Sequence, residues 1–135
     1  MKAQGTYTIK KWDETNYHQI SPERKLTKAS VEYSFSGEIE GHASVEYLMH
    51  YSLFDSKDQH RSCASFVGLL LFEGKLLGKT GSFVLEDNGI FEAGAVNSSL
   101  KIAKDSGTGE LKGIHGTGAY SADQNGLRIE LEYTI

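Results

Sequence analysis

The sequence has 135 residues, of which 39% are hydrophobic and 24% charged, and its formal net charge at pH 7 is -4. This length fits one domain, and the composition excludes a disordered or collagen-like chain. The excess of acidic residues is the opposite of what binding to a phosphate backbone requires. We therefore expect residues 1–135 to form a single domain with no nucleic-acid partner.

Cysteine content and apolar runs bear on the compartment. Cys63 is the only cysteine, so neither an intramolecular disulfide nor a Cys-x-x-Cys pair can form. Residues 1–14 lack the apolar stretch of a signal peptide. The longest apolar run, residues 66–72, is far shorter than the roughly 20 residues that cross a bilayer. These features predict a cytoplasmic protein that does not enter a membrane.

The first strong structural signal is an alternation of apolar and polar residues over positions 31–40, which resumes over positions 45–53. A period of two predicts half-buried strands, joined here by a hairpin at Gly37 or Gly41. Glu32, Glu38 and Glu40 share the even face of the first strand, where three carboxylates would be costly in a dry interior. The odd, aromatic face is therefore predicted to point inward, which places Glu46 outside if no bulge intervenes.

The remaining segments repeat this pattern at intervals typical of antiparallel β proteins. Strands are predicted over residues 63–73, 81–86, 90–92, 96–103, 109–114, 118–121 and 127–133. The triplet at 87–89 carries the strongest hairpin signal, and residues 16–25 and 55–62 are interpreted as loops. The fold class predicted is all-β, a single antiparallel, mostly meandering closed β-barrel of about eight strands.

Two further motifs are candidates for a phosphate site and a metal site. Residues 74–80 (GKLLGKT) have three residues where a phosphate-binding loop has four, and a strand rather than a helix follows. We interpret this segment as an ordinary turn. His42 and His50 would lie about 26 Å apart along one strand, too far to share a metal ion. We expect neither a metal site nor a cofactor.

Glu46 is the candidate catalytic residue, since a carboxylate among Tyr47, Tyr51 and Phe66 could be desolvated into a general acid or base. The competing interpretation is a surface glutamate.

The 14 aromatic residues, seven Tyr, six Phe and one Trp, either fill the barrel or line a pocket for an apolar ligand. If a pocket exists, Glu46 is its predicted polar group. The candidate ligand-binding residues are Tyr33, Phe35, Tyr47, Tyr51 and Phe66.

The order of several motifs resembles that of the bacterial domain of unknown function 3224 family along essentially the whole chain. The motifs are residues 5–10 with 12–13, then 26–31, 35–41, 46–49, 64–68, 81–85 and 106–111. This resemblance implies a barrel similar to that of allene oxide cyclase, and the glycine-rich stretch from residue 107 is similar to a segment of dirigent proteins.

Relatives of that kind bind apolar ligands inside the barrel, and some cyclise or steer reactive intermediates by shape. The resemblance also implies a homo-oligomer. Three hypotheses stay open on the sequence alone: a barrel that binds a small apolar molecule, a cofactor-free isomerase or cyclase using the same cavity, and a non-catalytic oligomeric domain with a filled barrel.

Overall fold

The computed structural model describes the backbone of residues 1–135 and every side chain except that of Gln59. Eight strands account for most of the chain. They are β1 (Lys2–Ser21), β2 (Arg24–Gly37), β3 (Ile39–Leu53), β4 (Cys63–Leu76), β5 (Lys79–Glu92), β6 (Ala95–Ile102), β7 (His115–Asp123) and β8 (Gly126–Thr134). Short 3-10 helices span Gln59–Arg61 and Gly109–Leu111.

Each strand pairs antiparallel with the next in sequence, and β8 pairs with β1 to close the barrel. The prediction of an all-β, meandering, closed barrel of eight strands is confirmed. Over the part of the chain that the structure describes, no helix is long and apolar enough to cross a membrane.

The direction of the side chains follows from the alternation along each strand. Val31, Tyr33 and Phe35 of β2 are buried, as are Val45 and Tyr47 of β3. The odd face of these two strands therefore points inward, as the position of the glutamates predicted. On β4 the inward parity is even, because Tyr47 pairs with Gly68 in the antiparallel register.

Strand β1 is longer than predicted and carries a bulge. The register shifts between Ile9 and Lys11, so that Tyr7 and then Trp12 and Glu14 lie toward the barrel opening. Residues 16–25, predicted as a loop, instead belong to the two strands of the β1–β2 hairpin, whose turn follows Ser21. That prediction was wrong. The hairpin is exposed to solvent here, so its strands carry polar residues as a loop would.

Two later predictions were also wrong. Residues 87–89 lie in the middle of β5 and form no hairpin, because Asp87 is buried and Gly89 accommodates a ring from β4. Residues 109–114, predicted as a strand, contain a 3-10 helix. The turn interpreted near Gly78, by contrast, is observed, since β4 ends at Leu76 and β5 begins at Lys79.

The two ends of the barrel differ. The end near the β4–β5 turn is filled by apolar side chains that are at most 1% exposed, namely Ile39, Leu76, Phe83 and Leu111. Leu111 comes from the 3-10 helix that follows β6, so this loop closes that end of the barrel. The opposite end of the barrel contains the candidate site.

Candidate functional site

A cavity of about 480 Å³ occupies the other end of the barrel. Nine aromatic side chains contribute to its wall, together with four aliphatic ones. The deep part is lined by the buried rings of Tyr7, Tyr33, Tyr47, Phe66 and Tyr120, whereas Trp12 and Glu14 at the rim are exposed. Volume and lining are those of a small-molecule site.

Glycine positions determine how the deep rings lie. Tyr47, Gly68 and Asp87 stand side by side on β3, β4 and β5. A Cβ atom on Gly68 would lie 2.7 Å from Cδ1 of Tyr47, so only glycine lets this ring lie across β4. The Tyr47 hydroxyl thereby reaches the carboxyl group of Asp87, two strands away.

Three tyrosine hydroxyls meet at Tyr47. Its Oη lies 2.9 Å from Oη of Tyr33 and 2.7 Å from Oη of Tyr120, and it donates to Oδ2 of Asp87 at 2.9 Å. A phenol has one proton, so Tyr33 and Tyr120 are the donors in their bonds to Tyr47. The second carboxylate oxygen, Oδ1 of Asp87, accepts from the hydroxyl of Ser98.

Burial sets the protonation of this cluster. Asp87 is 1% exposed, and desolvation raises its pKa above the ordinary value, whereas hydrogen bonds from Ser98 and Tyr47 act in the opposite direction. Desolvation also raises the pKa of Tyr33 to about 12 and raises those of Tyr47 and Tyr120 further. The phenols therefore stay neutral at physiological pH and act as hydrogen-bonding groups.

Glu14 is the carboxylate of the rim. Its Oε2 accepts hydrogen bonds from the hydroxyls of Thr27 (2.7 Å) and Tyr51 (2.9 Å), and its Oε1 accepts one from Nε1 of Trp12 (3.0 Å). These bonds join β1 to β2 and β3 and hold the Trp12 ring near the entrance.

The structure brings most of the sequence-predicted wall residues together. Tyr33, Tyr47, Tyr51 and Phe66 line the cavity. Phe35 does not, because it lies deeper and packs against the rings of Tyr7, Tyr33 and Phe72.

Glu46 lies outside the cavity. It is exposed on the outer face of β3, and its Oε2 accepts a hydrogen bond from Ser30. Glu46 is therefore not the polar group of the pocket, because strand alternation turns its side chain away from the lumen. The carboxyl group behind the cavity wall is that of Asp87. A catalytic role for Glu46 would have to operate on the outer surface.

Among the side chains described, which leave out only that of Gln59, no group of three His, Cys, Asp or Glu residues could hold a metal ion. The polar groups of the cavity are instead hydroxyls and carboxylates arranged for hydrogen bonding.

The sequence profile of a family described as "Protein of unknown function (DUF3224)" matches residues 3–133. The chain belongs to the DUF3224 family. Among solved structures it is similar to a protein of unknown function from the same family from Shewanella oneidensis MR-1. The two are 27% identical, with a TM-score of 0.80 over 100% of this chain and 97% of that chain. No curated protein matches the sequence.

In this DUF3224 protein the polar residues of the site were the ones that sequence reasoning missed. Asp87 stands in an Asp-Asn-Gly triplet, which was taken for a turn, and Tyr120 stands alone in a segment rich in glycine and serine. Glu14 was missed because the bulge near Lys10 reverses which residues of β1 face inward. The one available signal is the presence of Gly68 and Gly89 within strands, because a glycine there marks the close approach of another group without naming it.

Proposed function

We propose that this DUF3224 protein binds a small, largely apolar molecule in the open end of its barrel. The observation that carries the proposal is the cavity of about 480 Å³, walled by aromatic side chains, with a cluster of tyrosine hydroxyls at its deep end. Apolar area gives affinity and a few fixed polar groups give orientation in such sites. The neutral phenols suit binding better than proton abstraction.

A cavity-filling variant tests the proposal. Ala122 lines the cavity on β7, and Thr117 is exposed on the same strand, so Thr117→Phe is a matched control for Ala122→Phe. The probes are 4-phenylbutylamine, 4-phenylbutan-1-ol and 4-phenylbutyrate, each at millimolar concentration. At least one should raise the melting temperature of the wild type and of Thr117→Phe by several degrees, since a ligand of the folded state adds RT ln(1 + [L]/Kd) to its stability.

The same probes should leave the melting temperature of Ala122→Phe unchanged. Equal stabilisation of both variants would place binding elsewhere and overturn the proposal, as would the failure of every probe to stabilise the wild type. Native mass spectrometry of the purified protein gives a second measurement, because a retained molecule appears as added mass that Ala122→Phe lacks.

A cofactor-free isomerase or cyclase in the same cavity is a second candidate. It is favoured by one observation: the buried carboxyl of Asp87 lies one hydrogen bond behind Tyr47, which gives a short proton path to the cavity. The likeness to allene oxide cyclase and dirigent barrels expected from the sequence motifs agrees with this candidate. Asp87→Asn should then abolish product formation while a neutral probe still binds.

The outer face of β3 and β4 supports assembly with a second copy of the chain. Leu48 and Val67 pair across these strands and are each 51% exposed, and Leu69 beside them is 60% exposed. An apolar surface of this kind is typical of contacts between subunits. Native mass spectrometry also gives the number of subunits in the assembly. A monomer at micromolar concentration would contradict assembly.

A further inference from the structure

We propose that the molecule bound in the cavity is an organic cation, an amine with an apolar body, rather than a neutral or acidic lipid. This inference rests on the proposed function and adds the chemical class of the ligand. It stands on the donors and acceptors of the cavity wall, on the sign of its charged groups and on its aromatic faces.

When Asp87 is ionised, the deep hydroxyls have no proton left to offer a ligand. Both oxygens of Asp87 accept hydrogen bonds, one from Ser98 and one from Tyr47, and Tyr33 and Tyr120 donate to Tyr47. The oxygens of Tyr33 and Tyr120 keep lone pairs, since each donates its single proton. A ligand at the deep end therefore meets hydrogen-bond acceptors.

The remaining donors of the wall are also used within the protein. The Tyr51 hydroxyl and Trp12 Nε1 both donate to Glu14. The Ser62 hydroxyl donates to the carbonyl of Asp55, and the Tyr7 hydroxyl donates to the carbonyl of Ser121. An acidic or carbonyl-bearing ligand would find no hydrogen-bond donor without breaking one of these bonds.

The charged side chains that line the cavity or lie directly behind its wall are all acidic. Glu14 lies in the wall, and Asp87 lies directly behind it. The described lining residues include no Lys, Arg or His. Within the described side chains, Asp87 has no ion-pair partner, although a buried carboxylate is ordinarily paired. A ligand ammonium would supply the missing positive charge and so favour the ionised form of Asp87 over the protonated form that burial favours.

Aromatic faces attract cations, and the rim already shows this. The ammonium of Lys25 lies 3.5 Å from the centre of the Phe54 ring and 5.0 Å from that of Tyr51. Both rings contribute to the cavity wall, whereas Lys25 itself does not. The deeper rings present the same kind of surface to a cation that enters the cavity.

Three probes with the same carbon skeleton isolate the effect of charge. Isothermal titration of the wild type should give 4-phenylbutylamine a Kd at least tenfold lower than that of 4-phenylbutan-1-ol, and 4-phenylbutyrate should not bind. Equal or tighter binding of the alcohol or the carboxylate would overturn the cation proposal and leave the proposed binding function standing. Binding of none of the three would count against the binding function itself.

Three charge-removing variants complete the test. Asp87→Asn should weaken amine binding about tenfold and Glu14→Gln about threefold, while alcohol binding changes little in either variant. Glu46→Gln removes the same charge outside the cavity and should leave amine binding unchanged. If Asp87→Asn does not fold, Glu14→Gln and Glu46→Gln still decide, because equal amine affinity in these two variants contradicts the proposal.

Discussion

At the residue scale, two inward-facing glycines determine where the aromatic rings of the cavity can lie. Gly68 makes room for the Tyr47 ring, and Gly89 does the same for Phe66, since a Cβ atom there would lie 2.4 Å from Cζ of that ring. Phe66, Gly89, Ser98 and Tyr120 stand in one row across β4 to β7. The glycines of β4 and β5 thus turn two aromatic side chains along the barrel wall.

The protonation of Asp87 makes a testable contribution to stability. Its pKa is raised by burial in the folded protein, whereas in the unfolded chain it is about 4. Between these two values the folded state binds a proton that the unfolded state has released, so the stability contributed by Asp87 falls as the pH rises. The groups that face it are the neutral hydroxyls of Tyr47, Ser98 and Tyr120.

We expect the melting temperature of the wild type, relative to that of Asp87→Asn, to be highest near pH 4 and to fall as the pH rises. Circular dichroism melts at half-unit pH steps measure this difference. Glu46→Gln controls for the loss of one carboxylate from the protein. A difference between the wild type and Asp87→Asn that does not vary with pH would show that the carboxyl group titrates alike in both states.

The sequence identified the wall of the site better than its polar groups. Tyr33 and Tyr47 were predicted to face inward because alternation and three glutamates determine the parity of β2 without knowledge of any partner. The bond from Tyr47 to Asp87 depends on which strands are neighbours and in which register, and a single sequence does not contain that pairing. Glu46 was a candidate for the pocket because it adjoins Tyr47 in sequence, although the parity of β3 predicted the outer position that it has.

At the element scale, residues 7–21 of β1 form an edge that pairs with β2 alone. The register, which is described for the whole backbone, pairs β1 with β8 only over residues 2–6, and from there to Ser21 β1 pairs with β2. Glu14 joins this ribbon to Tyr51 of β3. The hairpin also carries Trp12 and so forms one side of the cavity entrance.

Removal of the Glu14 hydrogen bonds should loosen the hairpin. Glu14→Ala is expected to lower stability by about 1 kcal/mol, the usual loss for such hydrogen bonds, and to speed amide hydrogen exchange over residues 11–21. Glu32→Ala, an exposed carboxylate on the outer face of β2, is the control and should leave this exchange unchanged. Exchange at wild-type rates in Glu14→Ala would mean that strand pairing alone holds the ribbon.

Strands were predicted well where alternation was strong and poorly where local composition misled. The alternation over residues 31–37 and 45–53 lies in β2 and β3, and of the two turns considered the one at Gly37 is observed, although β2 begins earlier, at Arg24. β5 was divided in two because Asn88 and Gly89 favour turns locally, yet pairing with β4 on one side and β6 on the other keeps the strand extended. Long-range pairing overrode the local preference there.

At the scale of the whole molecule, the barrel has one filled end and one open end, and these should be separable by mutation. Leu111 is fully buried at the filled end and does not line the cavity. Leu111→Ala should cost about 2–5 kcal/mol, the range for leucine truncation in a core, and should leave probe affinity unchanged at temperatures where the protein is folded.

Chemical denaturation and titration calorimetry measure the two quantities for Leu111→Ala. The adjacent Lys112→Ala, at an exposed position, controls for perturbation of the loop. A large loss of affinity in Leu111→Ala with little loss of stability would show that the two ends are coupled.

The fold class was predictable from the sequence because repeated alternation with turn residues leaves few arrangements for so short a chain. The presence of a cavity was not predictable from the sequence, because whether a barrel is filled depends on the side-chain directions on every strand. Phe35 illustrates this limit: it has the same parity as Tyr33 on β2, yet it lies in the filled part of the core.

The seam between β8 and β1 has a consequence for biosynthesis. It joins residues 2–6 to residues 128–132, which leave the ribosome long after them. Until they emerge, the nascent chain can form at most an open sheet whose outer strands expose unpaired backbone groups. Contacts between such distant residues also close slowly. The growing sheet is therefore exposed to edge-to-edge association until residues 128–132 pair with residues 2–6.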